Sequence, residues 1–396
     1  MNLIPAVVLR KGRDEAVRRF HPWIFSGAID RVEGHPADGD VVEVLDHSGE
    51  LLASGHACHG SIAVKIFHFG SERPSGQEFW VHKLQQSLQL RKNIGLAGNE
   101  TTNAFRLVFS EGDGLPGLVV DMYNGVAVLQ AHSTGMYLLR HTLAGALRQV
   151  FGNSLKAVYD KSTEALGKSG AHSEGDGFLF GAMDSVEILE NGHRFLIDFI
   201  QGQKTGFFLD QRENRAILGN YAKGRRVLNA FSYTGGFSVY AMAAGAVHVT
   251  SLDSSRKAME TLEVNLRLNG FESGRHESVV SDAKSWLTAM PGNFDLIVLD
   301  PPAFAKRQAD RHKALQGYRF INAAAMKKIQ PGGFLFTFSC SQAISREMFV
   351  SMTMTAALEA GRNVRIVKHL GHGADHPVSV FHPEGEYLKG LVLEVL

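Results

Sequence analysis

From Arg225 to about residue 370 the chain alternates short apolar runs with helix-length amphipathic stretches. That alternation admits little besides a mainly parallel sheet with crossover helices. Its most informative member is Asp295-Leu296-Ile297-Val298-Leu299-Asp300-Pro301-Pro302-Ala303-Phe304. The apolar run between two aspartates reads as a buried strand, and Asp300 falls where that strand emerges. Pro301 and Pro302 forbid helix and hold the following residues extended. Ligands of open α/β sheets bind outside the carboxyl ends of the strands, so topology places Asp300 where chemistry is expected. Alone, the same residues describe no more than a strand closed by a capping Asp and a Pro turn.

The neighbouring segments supply context. Val227 to Ala230 reads as the first strand, leading through Phe231-Ser232-Tyr233-Thr234-Gly235-Gly236-Phe237 into a helix from Ser238 to Ala244. The second strand, Val247 to Leu252, ends in Asp253, an acid placed to bond ribose hydroxyls. After a helix from Ser255 to Asn269 and a strand near Glu277 to Val280, Asp282 can accept from an adenine amine. The loop is not GxGxxG, so an adenosine cofactor is implied without its class, and a dinucleotide fold would share this geometry. A long helix from Arg311 to Ile329 is predicted to stop at Gln330-Pro331-Gly332-Gly333. The fifth strand, Phe334 to Phe338, then runs into Ser339-Cys340-Ser341. Tyr387 to Val395 is expected as a last, antiparallel strand.

At 396 residues, two or three domains are expected. Short alternating segments at Val41 to Leu45, Leu51 to Gly55 and Ile62 to Phe67 predict a small curled β-domain. Arg10, Lys11, Arg13, Arg18 and Arg19 crowd its start beside His21-Pro22-Trp23-Ile24-Phe25. Such a mixture can stack bases and hold phosphates, or simply fill a core. The net charge of +1 decides neither way. After a polar linker, Gly70 to Gln77, a helix from Phe79 to Asn93, strands at Phe105 to Val108, Leu118 to Asp121 and Val126 to Gln130, a helix from Tyr137 to Val150 and a strand at Ala157 to Tyr159 predict an α+β module. Glu111-Gly112-Asp113-Gly114 reads as a turn, since calcium-loop spacing is absent. A hairpin is predicted across Glu190-Asn191-Gly192. Gly202 to Gly206 lacks the glycine spacing of a phosphate loop. The expected domains are therefore 1–72, 73–184 and 185–396.

Cys58 and Cys340 are the only cysteines, so neither a disulfide framework nor a CxxC metal site is expected, and a cytoplasmic chain is the default. The start lacks the pattern of a signal peptide, and no apolar run approaches the roughly 18 residues of a membrane span. His369, His372 and His376 lie among Gly371, Gly373 and Pro377, which break any helix that would align them, and no metal is expected. A lone cysteine is ordinarily a small core residue. Cys340, however, ends a strand on the sheet edge of Asp300, at what reads as a helix start whose amides would lower its pKa. Methylating carbon 5 of a pyrimidine requires such a nucleophile, because that carbon becomes reactive only after addition at carbon 6.

The glycine turn, the acids after strands two and three, Asp-Pro-Pro after strand four and Pro-Gly-Gly before strand five together resemble the S-adenosylmethionine-dependent methyltransferases of the Rossmann-like class. Over the whole chain the sequence resembles the large-subunit ribosomal RNA 5-methylcytosine methyltransferase family of the RlmI type. The matching residues are Gly39 to Val44, Glu111 to Gly117, Lys204 to Arg212, Asp300 to Phe304, Ser339-Cys340-Ser341 and Asp375-His376-Pro377-Val378. The resemblance implies an N-terminal PUA domain, a central α+β domain and a C-terminal methyltransferase domain. It implies Cys340 as nucleophile with Asp300 beside it in catalysis. Its cofactor contacts are Phe231, Tyr233, Thr234, Gly235, Asp253, Asp282, Asp300, Gln211 and Arg212, and its substrate contacts Pro301, Pro302, Phe304 and Lys306. S-adenosylmethionine and ribosomal RNA are the implied cofactor and partner; a homodimer is left open. One departure is that Ala303-Phe304 stands where better-known RNA 5-methylcytosine enzymes carry a second cysteine for product release. The base that takes the carbon-5 proton is thus unassigned between water and Asp300. Methylation of a purine nitrogen, and a noncatalytic ribosome-assembly role, are the alternatives.

Overall fold

Asn124-Gly125 and Asn191-Gly192 both hold two consecutive residues at positive φ, the backbone of a two-residue hairpin turn. The strands they join are hairpins in the computed structural model of the chain, which describes residues 4–74, 76–167, 174–271, 273–305 and 307–396. The chain divides into two compact units. One comprises Met1–Ile188, Ile197–Phe207 and Ala374–Gly385; the other Leu189–Leu196, Phe208–Gly373 and Glu386–Leu396.

The first unit contains two sheets. A six-stranded sheet uses β1 (Ala6–Leu9), β2 (Trp23–Phe25), β3 (Ile29–Glu33), β4 (Val41–Leu45), β5 (Leu51–Ala57) and β6 (Ile62–Phe69), in the order β2-β6-β5-β4-β1-β3. A short helix, α1 (Glu15–Arg18), intervenes. Val7, Leu9, Val42, Val44, Val64 and Ile66 form the sheet's core. The second sheet has the order β11-β10-β9-β8-β7 and is built from β7 (Ala104–Phe109), β8 (Leu118–Tyr123), β9 (Val126–Ala131), β10 (Ala157–Asp160) and β11 (Gly177–Phe180). α2 (Gly76–Asn93), α3 (Thr134–Leu138), α4 (Arg140–Phe151) and α5 (Thr163–Leu166) accompany it. The helix expected from Tyr137 to Val150 is in fact α3 and α4, and it begins earlier because Ser133 caps it by accepting from Met136 N.

Glu111-Gly112-Asp113-Gly114 is a 3₁₀ turn closed by Gly114 in the left-handed region. Asp113 pairs with the fully buried Arg91, whose Nη2 also donates to Asp375 O at 2.7 Å. A Cβ on Gly112 would lie 1.7 Å from Pro377 O, so only glycine lets the turn close against the 375–378 loop.

The second unit is a seven-stranded sheet. After the hairpin β12 (Val186–Glu190) and β13 (His193–Ile197) come α6 (Arg212–Ala222), β14 (Arg226–Ala230), α7 (Gly236–Ala243), β15 (His248–Asp253), α8 (Arg256–Leu268), β16 (His276–Val280), α9 (Ala283–Ala289), β17 (Phe294–Leu299), α10 (Arg311–Lys328), β18 (Ile329–Ser339), α11 (Arg346–Ala360), β19 (Val364–Leu370) and β20 (Lys389–Val395). The order is β16-β15-β14-β17-β18-β20-β19, parallel except for β20, which runs antiparallel to both neighbours. This is a Rossmann-like α/β sheet whose strand order reverses between β14 and β17. β17 is buried from Leu296 to Leu299, as its unbroken apolar run requires.

One boundary differs from expectation. Helix α10 does stop before Pro331, yet the Pro-Gly-Gly stretch belongs to β18. Ile329 pairs with Phe294 and Phe334 with Leu296, so residues 330–333 bulge out of the ladder with Gly332 at φ 79°. The helix ends instead on Ile329 in extended conformation, while Pro331, which has no N–H for the ladder, and the left-handed Gly332 suit the bulge.

Candidate active site

Five parallel strands, β14 to β18, end on one edge of the sheet, and the residues that follow each of them form the candidate site. After β14 the loop is tightly wound. Phe231, Tyr233 and Gly235 all have positive φ (61°, 48° and 85°), a conformation that costs roughly 1–3 kcal/mol at each non-glycine residue. Tyr233 N donates to Asp253 Oδ2 and Ser255 N to Asp253 Oδ1, both at 2.9 Å. The carboxylate at the end of β15 thereby pins this loop and keeps lone pairs for hydroxyl donors. Thr234 Oγ1 is buried without a hydrogen-bond partner among the described residues, an unsatisfied group that a bound polar ligand would satisfy.

A Cβ on Gly235 would meet Leu262 Cγ at 2.5 Å at a φ of +85°. Gly235→Ala is therefore expected to lower stability by about 1–3 kcal/mol, read from denaturant unfolding midpoints. An unchanged midpoint would mean that the turn relaxes freely.

Asp282 follows β16 as the N-cap of α9, its Oδ2 accepting from Ser285 N and Oγ at 2.9 Å. Those backbone and hydroxyl bonds hold its carboxyl below the usual range. Oδ1 takes part in neither. The donor set fits an adenosine cofactor: a glycine turn, a half-buried acid after the second strand and an exposed acid after the third.

At the end of β17, Asp300 keeps a window to solvent. Burial, more than any neighbouring charge, pushes its carboxyl up to about 7, and the nearby Asp210 adds to the effect. A hydrogen bond from Gln211 and the charge of Arg215 oppose it. These three residues lie on the 3₁₀ turn at Leu209–Gln211 and on α6. Arg215 is anchored by a bidentate pair with the buried Glu190, at 2.8 and 2.7 Å. Asp210 accepts from Tyr387 Oη at 2.5 Å, and Gln211 Oε1 from Asn214 Nδ2 at 2.6 Å. Arg212 is buried at the first position of α6.

Cys340 follows β18, the strand beside β17. The expected helix start is not there: α11 begins at Arg346, capped by Ser345. Without helix amides to favour a thiolate, burial pushes the Cys340 thiol up to about 12, with the charges of Asp300 and Asp210 contributing next. Lys389 pulls in the opposite direction. Its ammonium donates to Ser341 O at 2.8 Å and Tyr387 O at 2.6 Å, and burial lowers it to about 8.

The loops after β17 and β18 are tied together. Ser341 Oγ accepts from Ala305 N at 3.3 Å and shares a 2.9 Å hydrogen bond with Tyr318 Oη. The Phe304 ring packs on Tyr318 with centroids 4.6 Å apart, and Lys284 Nζ stands 5.4 Å from the Phe304 centroid. Pro301 is buried and Pro302 exposed. Lys306 lies outside the described residues. The fold thus brings Asp300, Gln211 and Cys340 into one electrostatic neighbourhood, with the Asp253 and Asp282 loops along the same edge. Reading the sequence missed Asp210, Tyr318, Ser341 and Lys389. Asp210 and Ser341 lay inside the matched segments Lys204 to Arg212 and Ser339-Cys340-Ser341 without a role assigned to them, and Lys389 carried a signal as a cation inside a segment expected to be a buried strand.

Known proteins agree with this architecture. The profile described as S-adenosylmethionine-dependent methyltransferase matches residues 172–379, and that described as PUA-like domain matches residues 7–69. A protein of Tolumonas auensis named Ribosomal RNA large subunit methyltransferase I is 40% identical over 98% of this chain and 99% of its own length. One of the same name from Vibrio cholerae is 38% identical over 100% of both. Among solved structures, a candidate SAM-dependent methyltransferase from Streptococcus mutans superposes with a TM-score of 0.83 at 22% identity, covering 99% of this chain and 100% of its own. A second, solved with S-adenosylhomocysteine, matches equally. Among the described residues, no helix is long and apolar enough to cross a membrane.

Proposed function

The chain belongs to the PUA-containing S-adenosylmethionine-dependent methyltransferases named ribosomal RNA large subunit methyltransferase I, and from that premise we propose that it methylates carbon 5 of a cytosine in 23S ribosomal RNA. Its cofactor is S-adenosylmethionine, which supplies an electrophilic methyl group when bound. Phe231, Tyr233, Thr234, Gly235, Asp253 and Asp282 are the residues to hold it, with Gln211 and Arg212 at the Asp300 end.

The observation that carries the cytosine reading is the placement of Asp300 and Cys340 after adjacent parallel strands, with the Asp300 charge raising the Cys340 thiol. The Cys340 sulfur adds to carbon 6 as its thiolate, the one proton left on the pair being carried by Asp300. The carbon 5–6 π electrons shift to the 4–5 bond, and those of the carbon 4–nitrogen 3 bond move onto nitrogen 3. That nitrogen takes a proton from Asp300, whose raised pKa makes the neutral acid accessible near pH 7. Carbon 5 is then an enamine carbon, nucleophilic towards a methyl donor. After transfer, a water takes the carbon-5 proton, the bond's electrons re-form the carbon 5–6 double bond and expel the sulfur as thiolate, and nitrogen 3 returns its proton to Asp300.

Mass analysis of nucleosides from ribosomal RNA incubated with the protein and S-adenosylmethionine is expected to show 5-methylcytidine. A methylated purine in its place would overturn the assignment.

A further inference from the structure

We propose that His21, His382 and Glu384 form a binding site for one divalent transition-metal ion of the zinc type, in the unit that holds the PUA-like sheet. Each side chain offers one ligand atom, and the three atoms lie within 4.8 Å of one another.

The two imidazoles are prepared for this. His21 Nδ1 sits 3.0 Å from Trp23 O and also 3.2 Å from Trp23 N; metal binding through Nε2 would select the tautomer in which Nδ1 donates to the carbonyl. His382 is 3% exposed, and its Nδ1 makes no hydrogen bond among the described residues, although Glu384 Oε2 is only 3.1 Å away. A carboxylate oxygen that close but misaligned resembles two ligands aimed at a common third point. The Trp23 ring holds His382 at a centroid distance of 4.3 Å, and Trp23 Nε1 is itself fixed by Glu111 Oε1 at 2.9 Å.

Bond lengths of about 2.0–2.2 Å to nitrogen and oxygen put neighbouring ligand atoms of a tetrahedral ion roughly 3.3 Å apart. The His382–Glu384 spacing of 3.1 Å is already close to this, and the His21 ligand atom lies within 4.8 Å of both. Two imidazoles and one carboxylate without thiolate select a borderline ion and leave a position for water. The three histidines weighed from the sequence take other roles: His376 Nδ1 meets Asp375 Oδ1 at 2.9 Å, His372 stacks on Tyr387 and His369 is exposed. A bound ion would clamp the segment Ala374–Gly385 to strand β2.

The test is calorimetric titration of zinc into the chelator-treated full-length protein, beside His382→Phe and Glu384→Gln, with the exposed His47→Ala as control. Native circular dichroism and unchanged S-adenosylmethionine binding establish that the variants fold. One zinc per chain is expected, weakened on the order of 10-fold or more by each site variant and not by the control. Equal zinc affinity in the parent and both site variants would overturn the site. So would the absence of any one-to-one binding in the parent, leaving His382 and Glu384 as an ion pair.

Discussion

Replacing Cys340 by alanine is expected to reduce methyl transfer to ribosomal RNA by on the order of 10³-fold or more, because the addition that activates carbon 5 has no other nucleophile. The other cysteine, Cys58, lies on the six-stranded sheet side of the chain, just past β5. Calorimetry should find S-adenosylmethionine affinity unchanged, since no predicted cofactor contact is touched. Trapping adds a second readout: parent protein incubated with RNA carrying 5-fluorocytosine, which has no carbon-5 proton to lose, should form a covalent adduct, and Cys340→Ala should not. Methyl transfer at parental rate by Cys340→Ala would sink the covalent route altogether.

Asp300→Asn is the second large effect, and its signature is a pH profile. The reactive state needs a thiolate at Cys340 and a proton on Asp300, so the pair must have lost one proton in total. With the carboxyl at about 7 and the thiol at about 12, that singly deprotonated pair prevails between those values. Below about 7 both groups are protonated, and the rate should fall about tenfold per pH unit as pH drops; above it the rate should level off. Removing the carboxyl deletes the inflection near 7. What remains is the titration of Cys340, eased by loss of the Asp300 charge but still raised by burial. The rate of Asp300→Asn should therefore be lower by on the order of 10²-fold at neutral pH and climb continuously with pH. A variant that kept the parental inflection would show that another group titrates there.

Much of this was readable from residue order. The unbroken apolar run of β17 cannot serve a half-exposed strand, so it announced a buried parallel one, and its Asp-Pro-Pro end fixed where Asp300 sits. The Asn191-Gly192 pair announced its hairpin, since few other dipeptides accept two left-handed residues. What escaped depends on long-range approach. Ser341 and Tyr318 meet only because α10 packs beneath the β17 loop: nothing in a local window distinguishes Tyr318 from an ordinary core residue, and Ser341 stood out only as the neighbour of Cys340. Cys340 was placed on the right edge for a partly wrong reason: the residues after it turn before Ser345 caps α11, so its environment is set by burial and two carboxylates rather than by helix amides. The His21, His382 and Glu384 cluster joins opposite ends of the sequence, beyond the reach of any spacing rule.

Ser341 gives the site a mechanical character. One hydroxyl holds both the backbone of the proline loop and the tyrosine beneath it, while the carbonyl of the same residue holds the buried lysine. Jaw and tooth are cast in one piece: a shift of the proline loop would pull on Ser341, the residue next to Cys340. On the proposed route, these ties would hold the two loops in place, and extrusion of the nucleotide from the RNA, rather than a rearrangement of these loops, would be the adjustment on which capture depends.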